Sequence, residues 1–181
     1  HGDAVDTALL VMAHKAGIIQ TETQNAFPQL DEIPFEAENR FSASLNKMSV
    51  GTVACVKGAI EHVLPMCNQA AHSDGDIPID AARALEEAQQ LAAVGYRVLA
   101  IADGKVELKE GEVFSAEHLQ DLTLLGLVGM IDPLRTESKQ AISACRDAGI
   151  DVCMITGDHP LTAYSISKEL GMADNQEQVI T

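Results

Sequence analysis

The sequence predicts a mixed α/β fold of the α+β kind, and three patterns carry this prediction. Residues 41–45 and 52–56 cluster or alternate apolar side chains around a polar turn, as the two strands of a β-hairpin do. Residues 81–94 are rich in Ala, Glu and Gln, which favour a helix. Residues 125–163 have the pattern strand, turn, helix, strand, turn and helix, which is typical of a parallel unit.

The elements before the hairpin are one helix and one strand. Residues 6–16 have apolar side chains at helical spacing, and Gly17 follows them as a C-terminal cap. Residues 20–31 are polar and are expected to form a loop. The strand that follows is expected at a sheet edge, because Pro34 has no N–H to donate to a neighbouring strand.

The elements after the hairpin are shorter and more closely spaced. They are expected in this order: a short helix at 60–67, a surface loop at 68–78, the helix ended by Gly95, a strand at 97–102, a turn at Asp103–Gly104 and a strand at 121–131. A helix over 136–148 and a strand over 150–153 complete the second unit.

Composition limits the classes of partner. The 181 residues carry a net charge of −15, which excludes nucleic acid and an anionic membrane surface as direct partners. An anionic ligand would therefore need a local basic cluster, for which Arg40, Lys57 and Arg97 are the candidates. No apolar run approaches the ~20 residues of a membrane span, and no signal peptide is present, so the chain itself is expected to be soluble and cytosolic.

The four cysteines predict neither a metal site nor a disulfide framework. They form no C-x-x-C pair and have no His at metal-ligand spacing. Cys55 and Cys153 lie in apolar runs, where a reduced and buried thiol is the expected state. No metal ligands are predicted in this chain.

Thr156-Gly157-Asp158 is the most informative local motif. It follows the apolar run at 150–153, and a helix is expected to open at Pro160. This geometry places a hydroxyl, a glycine amide and a carboxylate at the carboxyl edge of a parallel sheet, where anions bind. The alternative is an ordinary turn in which Asp158 caps the helix.

Five segments together resemble the cytoplasmic region of P-type cation-transporting ATPases of the calcium-type or bacterial subgroup. They lie in the order the family requires and are, in sequence, Gly2-Asp3-Ala4-Val5-Asp6-Thr7-Ala8-Leu9, Lys57-Gly58-Ala59, Gly95-Tyr96-Arg97-Val98-Leu99-Ala100, Asp132-Pro133-Leu134-Arg135 and Thr156-Gly157-Asp158. The fourth segment matches the family's hinge, and the fifth matches its phosphate-binding motif.

The resemblance implies two domains. Residues 1–127 would form a nucleotide-binding domain, a twisted antiparallel sheet flanked by helices that lacks its first strands. Residues 128–181 would form part of a Rossmann-like phosphorylation domain of the haloacid-dehalogenase type. The family's Asp-Lys-Thr-Gly-Thr and Gly-Asp-Gly-x-Asn-Asp sequences are absent. The chain is therefore expected to be a part of a pump that binds nucleotide without turning it over.

The resemblance also assigns roles to single residues around ATP and Mg²⁺. The residues implied at the nucleotide are Asp6 (adenine amino group), Phe35 (stacking), Arg40 (where the family has Lys), Lys57 and Gly58 (adenosine pocket), Arg97 (toward the phosphates), Leu99 (ribose or base) and Asp132 (hinge). Thr156, Gly157 and Asp158 would bind the transferring phosphoryl group. The expected partners are the remaining phosphorylation, actuator and transmembrane domains of a multi-pass membrane pump, with this segment on its cytoplasmic side.

Alternatives remain open for single residues and for the function of the whole chain. Phe35 could be a core residue, Lys57 a surface residue beside a glycine turn, and Asp6 a helix cap. Arg97 lies between apolar neighbours and would need a phosphate or a carboxylate as partner. The whole chain could also be a soluble haloacid-dehalogenase-type phosphatase, although it has no Asp-x-Asp loop, or a non-catalytic interaction module with an acidic surface.

Overall fold

The computed structural model describes residues 4–131, 134–156 and 160–180. Its helices are α1 (Ala4–Lys15), α2 (Gln20–Ala26), α3 (Ile60–Val63), α4 (Ala81–Ala93), α5 (Thr136–Asp147) and α6 (Pro160–Glu169). Its strands are β1 (Gln29–Ile33), β2 (Phe41–Met48), β3 (Gly51–Gly58), β4 (Cys67–Ala70), β5 (Ile77–Pro78), β6 (Arg97–Lys105) and β7 (Leu122–Met130). Short 3₁₀ turns cover Leu64–Met66, Ala116–His118 and Gln176–Gln178.

The seven strands form one mixed sheet in the order β1-β2-β3-β6-β7-β4-β5. The pairs β1/β2, β2/β3 and β3/β6 are antiparallel, which confirms the predicted hairpin. The prediction of a wholly antiparallel sheet is wrong, because β4 runs parallel to β7. These two strands are far apart in sequence, and a long connection permits a parallel pair.

One face of the sheet forms the core. Phe41, Ala43 and Leu45 of β2 alternate with less buried residues, and all three lie opposite buried positions of β3. Leu119 and Leu122, which precede and begin β7, are also almost fully buried. Each such leucine stabilises the fold by about 1.5–3 kcal/mol through removal from water. The opposite face of β2 and β3 is mostly half-buried, so it remains partly open to solvent.

The chain divides into two compact units. The first comprises residues 1–85 and 98–128 and contains most of the sheet. The second comprises residues 86–97 and 129–181 and contains α5 and α6. Within the second unit, Nη1 of Arg146 in α5 donates to the carbonyl of Gly171, 2.5 Å away and just beyond the end of α6. A cation at the carboxyl end of a helix is favourable, because it complements the orphan carbonyl groups there.

Two segments predicted as loops contain regular structure. Residues 20–26 form α2, so polarity alone was misleading: Gln, Glu and Ala are good helix formers. The segment 68–78 contains most of β4 and all of β5, which are very short and carry no clear alternation. Their pairing with β7 and with each other is a tertiary effect that a local pattern does not predict.

The predicted turn at Asp103–Gly104 is wrong. Both residues lie within β6 and pair with Cys55 and Ala54 of β3. Gly104 is required there for another reason. A Cβ at this position would come within 2.5 Å of Cδ2 of Leu122, so the glycine permits close approach of β7.

The predicted strand over 150–153 is also wrong. Residues 151–156 are described and form neither strand nor helix, and Ile155 is 95% exposed. Cys153 is exposed rather than buried, which corrects a second prediction. A strand needs a neighbour for its backbone hydrogen bonds, and none of the strands in the described residues pairs with this segment. The expected helix does begin at Pro160.

Candidate functional site

One end of the antiparallel half of the sheet collects most of the predicted nucleotide-binding residues. β1 and β3 end there, while β2 and β6 begin there, because the four strands alternate in direction. Within the first unit this topology brings to the same end Phe35, Arg40, Lys57, Gly58 and Leu99. They come from the β1–β2 connection and from the two strands β3 and β6, so sequence spacing alone would not have brought them together.

Lys57 and Asp6 form an ion pair at this end. Nζ of Lys57 in β3 donates to Oδ1 of Asp6, which lies in the first turn of α1. The two side chains are 35% and 39% exposed, so the pair is partly shielded from water. Asp6 also suits its helical position, because a carboxylate near a helix N-terminus is favourable. Asp6 therefore lies within the first turn of α1, and its contact with the adenine amino group remains a prediction.

Gly58 permits a close approach of two strands. It is buried and pairs with Phe41, and a Cβ at this position would lie 2.6 Å from both the Arg40 carbonyl oxygen and Cβ of Phe41. The next residue, Ala59, donates its N–H to the same carbonyl at 3.0 Å and precedes α3. The Lys-Gly-Ala motif thus ends β3, presents Lys57 on the half-buried face and starts a helix.

Arg40 lies in a tight turn before β2. Its φ of +53° falls in the left-handed region, and its N–H donates to the Glu36 carbonyl at 2.8 Å. The side chain is exposed. The backbone of Arg40 therefore helps to hold the end of β3, while the guanidinium group is accessible to an anionic ligand.

Phe35 and Leu99 provide apolar surface at the same end of the sheet. Phe35 is 63% exposed, so the interpretation of Phe35 as a core residue is wrong. Leu99 is half-buried and shares a face with Ile101, which lies directly opposite Lys57. An exposed aromatic ring and a half-buried leucine are both suited to contact a planar ligand.

The position and exposure of Arg97 differ from the sequence prediction. It is the first residue of β6 rather than a residue in mid-strand, and its side chain is exposed. An exposed guanidinium group stays hydrated, so the argument that it needs a buried partner no longer applies. Arg97 belongs to the second unit, whereas the following residues of β6 belong to the first.

The predicted phosphate-binding motif is only partly described. Thr156 is exposed and lies in a segment without regular structure in the second unit. Gly157 and Asp158 lie outside the described residues, as does Asp132 of the predicted hinge. The roles assigned to these four residues therefore remain predictions.

A polar row on the half-buried face was missed by the sequence analysis. Cys55, two residues before Lys57, lies opposite Asp103, and both belong to the first unit. Burial raises the pKa of the Cys55 thiol, and the nearby Asp103 raises it further. Burial also raises the pKa of Asp103, with repulsion from Asp76 adding to the effect. The sequence did contain a signal for this polar row, because the period-two alternation of β6 continues through Asp103 to Lys105.

Two features are absent from the described parts of the chain. In residues 4–131, 134–156 and 160–180, no three His, Cys, Asp or Glu side chains lie close enough together to hold a metal ion. None of the helices in these same ranges combines the length and the hydropathy that crossing a bilayer requires.

Comparison with known proteins identifies the family. The family model described as "P-type ATPase, cytoplasmic domain N" matches residues 1–137. The chain belongs to this family. The match covers α1, all seven strands and every candidate residue at the end of the sheet where Lys57 lies. The ion pair of Asp6 with Lys57 lies within the matched range.

Curated relatives of this N-domain chain are ion-transporting ATPases. A cation-transporting ATPase of Synechocystis is 41% identical over 173 residues, which are 95% of this chain and 19% of the relative. Calcium-transporting ATPase 1 of Bacillus cereus is 34% identical over 179 residues, 96% of this chain and 20% of the relative. A sodium/potassium-transporting ATPase α-4 subunit of Rattus norvegicus is 33% identical over 183 residues, 94% of this chain and 18% of the relative. The chain thus spans about a fifth of these relatives' length.

Proposed function

We propose that this chain is the ATP-binding part of a P-type cation-transporting ATPase. The observation that carries the proposal is the contact between Asp6 and Lys57, which are 51 residues apart. Each was assigned to the adenosine pocket from a different motif, and the fold of the first unit brings them into direct contact. Chance would rarely pair two residues selected independently for one ligand.

The chemistry at this end of the sheet suits an adenine nucleotide. The ammonium group of Lys57 donates hydrogen bonds, and the carboxylate of Asp6 can accept one from the adenine amino group. The exposed ring of Phe35 offers a stacking surface, and Leu99 offers apolar contact beside Lys57. Arg40 supplies a second positive charge close to the end of β3.

The phosphoryl-transfer steps belong to the whole pump. Thr156, Gly157 and Asp158 would hold the transferring group, and Mg²⁺ bound to ATP would neutralise charge on its phosphates. The chain contains no Asp-Lys-Thr-Gly-Thr sequence, so the phosphorylated Asp would come from elsewhere in the protein. The whole protein would couple ATP hydrolysis, through an aspartyl-phosphate, to cation transport across a membrane. This chain alone would bind ATP and show no ATPase activity above background.

Calorimetric titration with ATP, with and without Mg²⁺, tests the proposal. We expect saturable binding that Lys57→Ala weakens at least fivefold, or about 1 kcal/mol. Lys105→Ala is the matched control, because Lys105 is an exposed lysine at the other end of β6. Absence of binding at millimolar ATP would contradict the proposal and favour a non-catalytic interaction module. Equal weakening of ATP binding by both substitutions would show that the site does not lie at Lys57.

A further inference from the structure

The ion pair between Asp6 and Lys57 has a consequence for ATP binding at this end of the sheet. Lys57 is the proposed cationic group of the pocket, yet its ammonium group already contacts a carboxylate. Both side chains are more than half shielded from solvent, so this contact is screened less than a fully exposed pair. A ligand that uses Lys57 must share or replace this contact.

The ion pair joins two separate elements, the helix α1 and the strand β3. Within the described residues α1 has no buried side chain, so no core residue anchors it to the sheet. Its Asp6 nevertheless reaches Lys57 near the end of β3. The ion pair therefore links a surface helix to the end of the sheet where Phe35 and Leu99 also lie.

We infer that the Asp6–Lys57 ion pair is an autoinhibitory contact: it occupies the ammonium group of Lys57, so ATP has to displace it. The inference rests on the proposed function, since it concerns the same site. Asp6 then has two opposing effects: its oxygen accepts a hydrogen bond from the bound base, and its charge occupies Lys57 before binding. Asp6→Asn separates them, because an amide oxygen still accepts a hydrogen bond but no longer forms an ion pair.

The test is a double-mutant cycle on ATP affinity, measured by calorimetry with the whole chain. We expect Asp6→Asn to tighten ATP binding about two- to fivefold, the range for releasing a partly exposed ion pair. The gain should disappear in the Lys57→Met background, where no ammonium group remains to be released. Glu110→Gln is the control for net charge, because Glu110 is exposed in the loop after the other end of β6.

The outcomes separate this inference from the proposed function. ATP binding that Asp6→Asn leaves unchanged or weakens would overturn the autoinhibitory contact while the proposed function stands. The same holds if Asp6→Asn tightens binding equally with Met at position 57, since the gain would then reflect removal of a negative charge alone. Absence of binding in the wild-type chain and in Asp6→Asn would overturn both.

Discussion

Single residues at the Lys57 end of the sheet differ in whether they serve the fold or a ligand. Gly58 serves the fold, because β2 lies too close for any side chain there. Lys57 and Asp6 form a pair that the core does not require, since both are partly exposed. Phe35 is the clearest candidate for a ligand contact, because its ring is largely exposed and contributes little to the core.

Replacement of Phe35 should affect binding and stability differently. We expect Phe35→Ala to weaken ATP binding at least fivefold, because stacking on an aromatic ring contributes about 1–3 kcal/mol per base. The free energy of unfolding should change by less than about 0.5 kcal/mol, as for other exposed positions. Calorimetry and urea denaturation give the two values.

Phe27→Ala is the matched control for Phe35. Phe27 follows α2, at the opposite end of β1 from Phe35, and it is less exposed. This substitution should lower stability and leave ATP affinity unchanged. A loss of stability in Phe35→Ala without a loss of affinity would show that the ring packs against the protein instead.

The cysteines provide a residue-scale test of burial. Burial raises the pKa of Cys67 from 9.0 to about 11, so its reactive thiolate is rarer at pH 8. Because Cys153 is exposed, we expect iodoacetamide to modify Cys153 at least tenfold faster than Cys67, as followed by peptide mass spectrometry. Equal rates of modification of Cys153 and Cys67 in the native protein at pH 8 would contradict this burial.

The raised pKa of Cys67 also makes stability depend on pH. Folding favours the protonated Cys67, so its contribution to stability is complete below pH 9 and is lost as the pH rises toward 11.

At the scale of elements, the loop between β6 and β7 is held by its own hydrogen bonds. Ser115 and His118 form a reciprocal cap on the 3₁₀ turn, and Nε2 of His118 lies 3.3 Å from Oε1 of Glu112. The His118 side chain is only 15% exposed. This arrangement places Phe114 and Leu119 in the core, so the loop contributes to the stability of the first unit.

Loss of this cap should destabilise the fold without affecting the site. We expect His118→Ala to lower the free energy of unfolding by about 1–2 kcal/mol, the usual range for a lost cap. His72→Ala is the control, because His72 is half exposed and should change stability by less than about 0.5 kcal/mol. Urea denaturation measures both values. Equal effects from the two substitutions would show that the loop is not held by His118.

The sequence predicted elements well where local pattern and tertiary structure agree. The hairpin of β2 and β3 and the helix α4 follow directly from alternation and helix propensity. The elements that were missed depend on distant partners: β4 pairs with β7 and with β5, and Gly104 lies in a strand because it pairs with Ala54 of β3. The exposed segment at 151–156 does not form a strand, because no described strand pairs with it.

The sequence nominated candidate residues for the site but did not predict their contacts. Motifs selected Asp6 and Lys57 separately, and no local signal indicated that they would form an ion pair across 51 residues. The left-handed conformation of Arg40 also depends on the turn that the folded chain makes before β2. The apolar neighbours of Arg97 in sequence suggested burial that the start of β6 does not provide, while its role toward the phosphates remains a prediction.

At the scale of the whole molecule, a strong net negative charge contrasts with the basic side chains of Lys57 and Arg40. A net charge of −15 repels ATP at long range, although salt screens this repulsion beyond about 8–10 Å. Under the proposed function, Lys57 and Arg40 would attract ATP locally at one end of the sheet. Because the chain spans about a fifth of its relatives' length, the other parts of the pump would complete the phosphate site.

The central claim is that ATP binds at the Lys57 end of the sheet in the first unit. The most direct measurement is a titration with ATP followed by amide chemical shifts in ¹H–¹⁵N spectra of the whole chain. The account predicts that the largest shifts fall at residues 34–41, 56–59 and 99–101 and at the start of α1. Shifts concentrated at the opposite end, around residues 46–52 and 103–106, or no shifts at millimolar ATP, would contradict it.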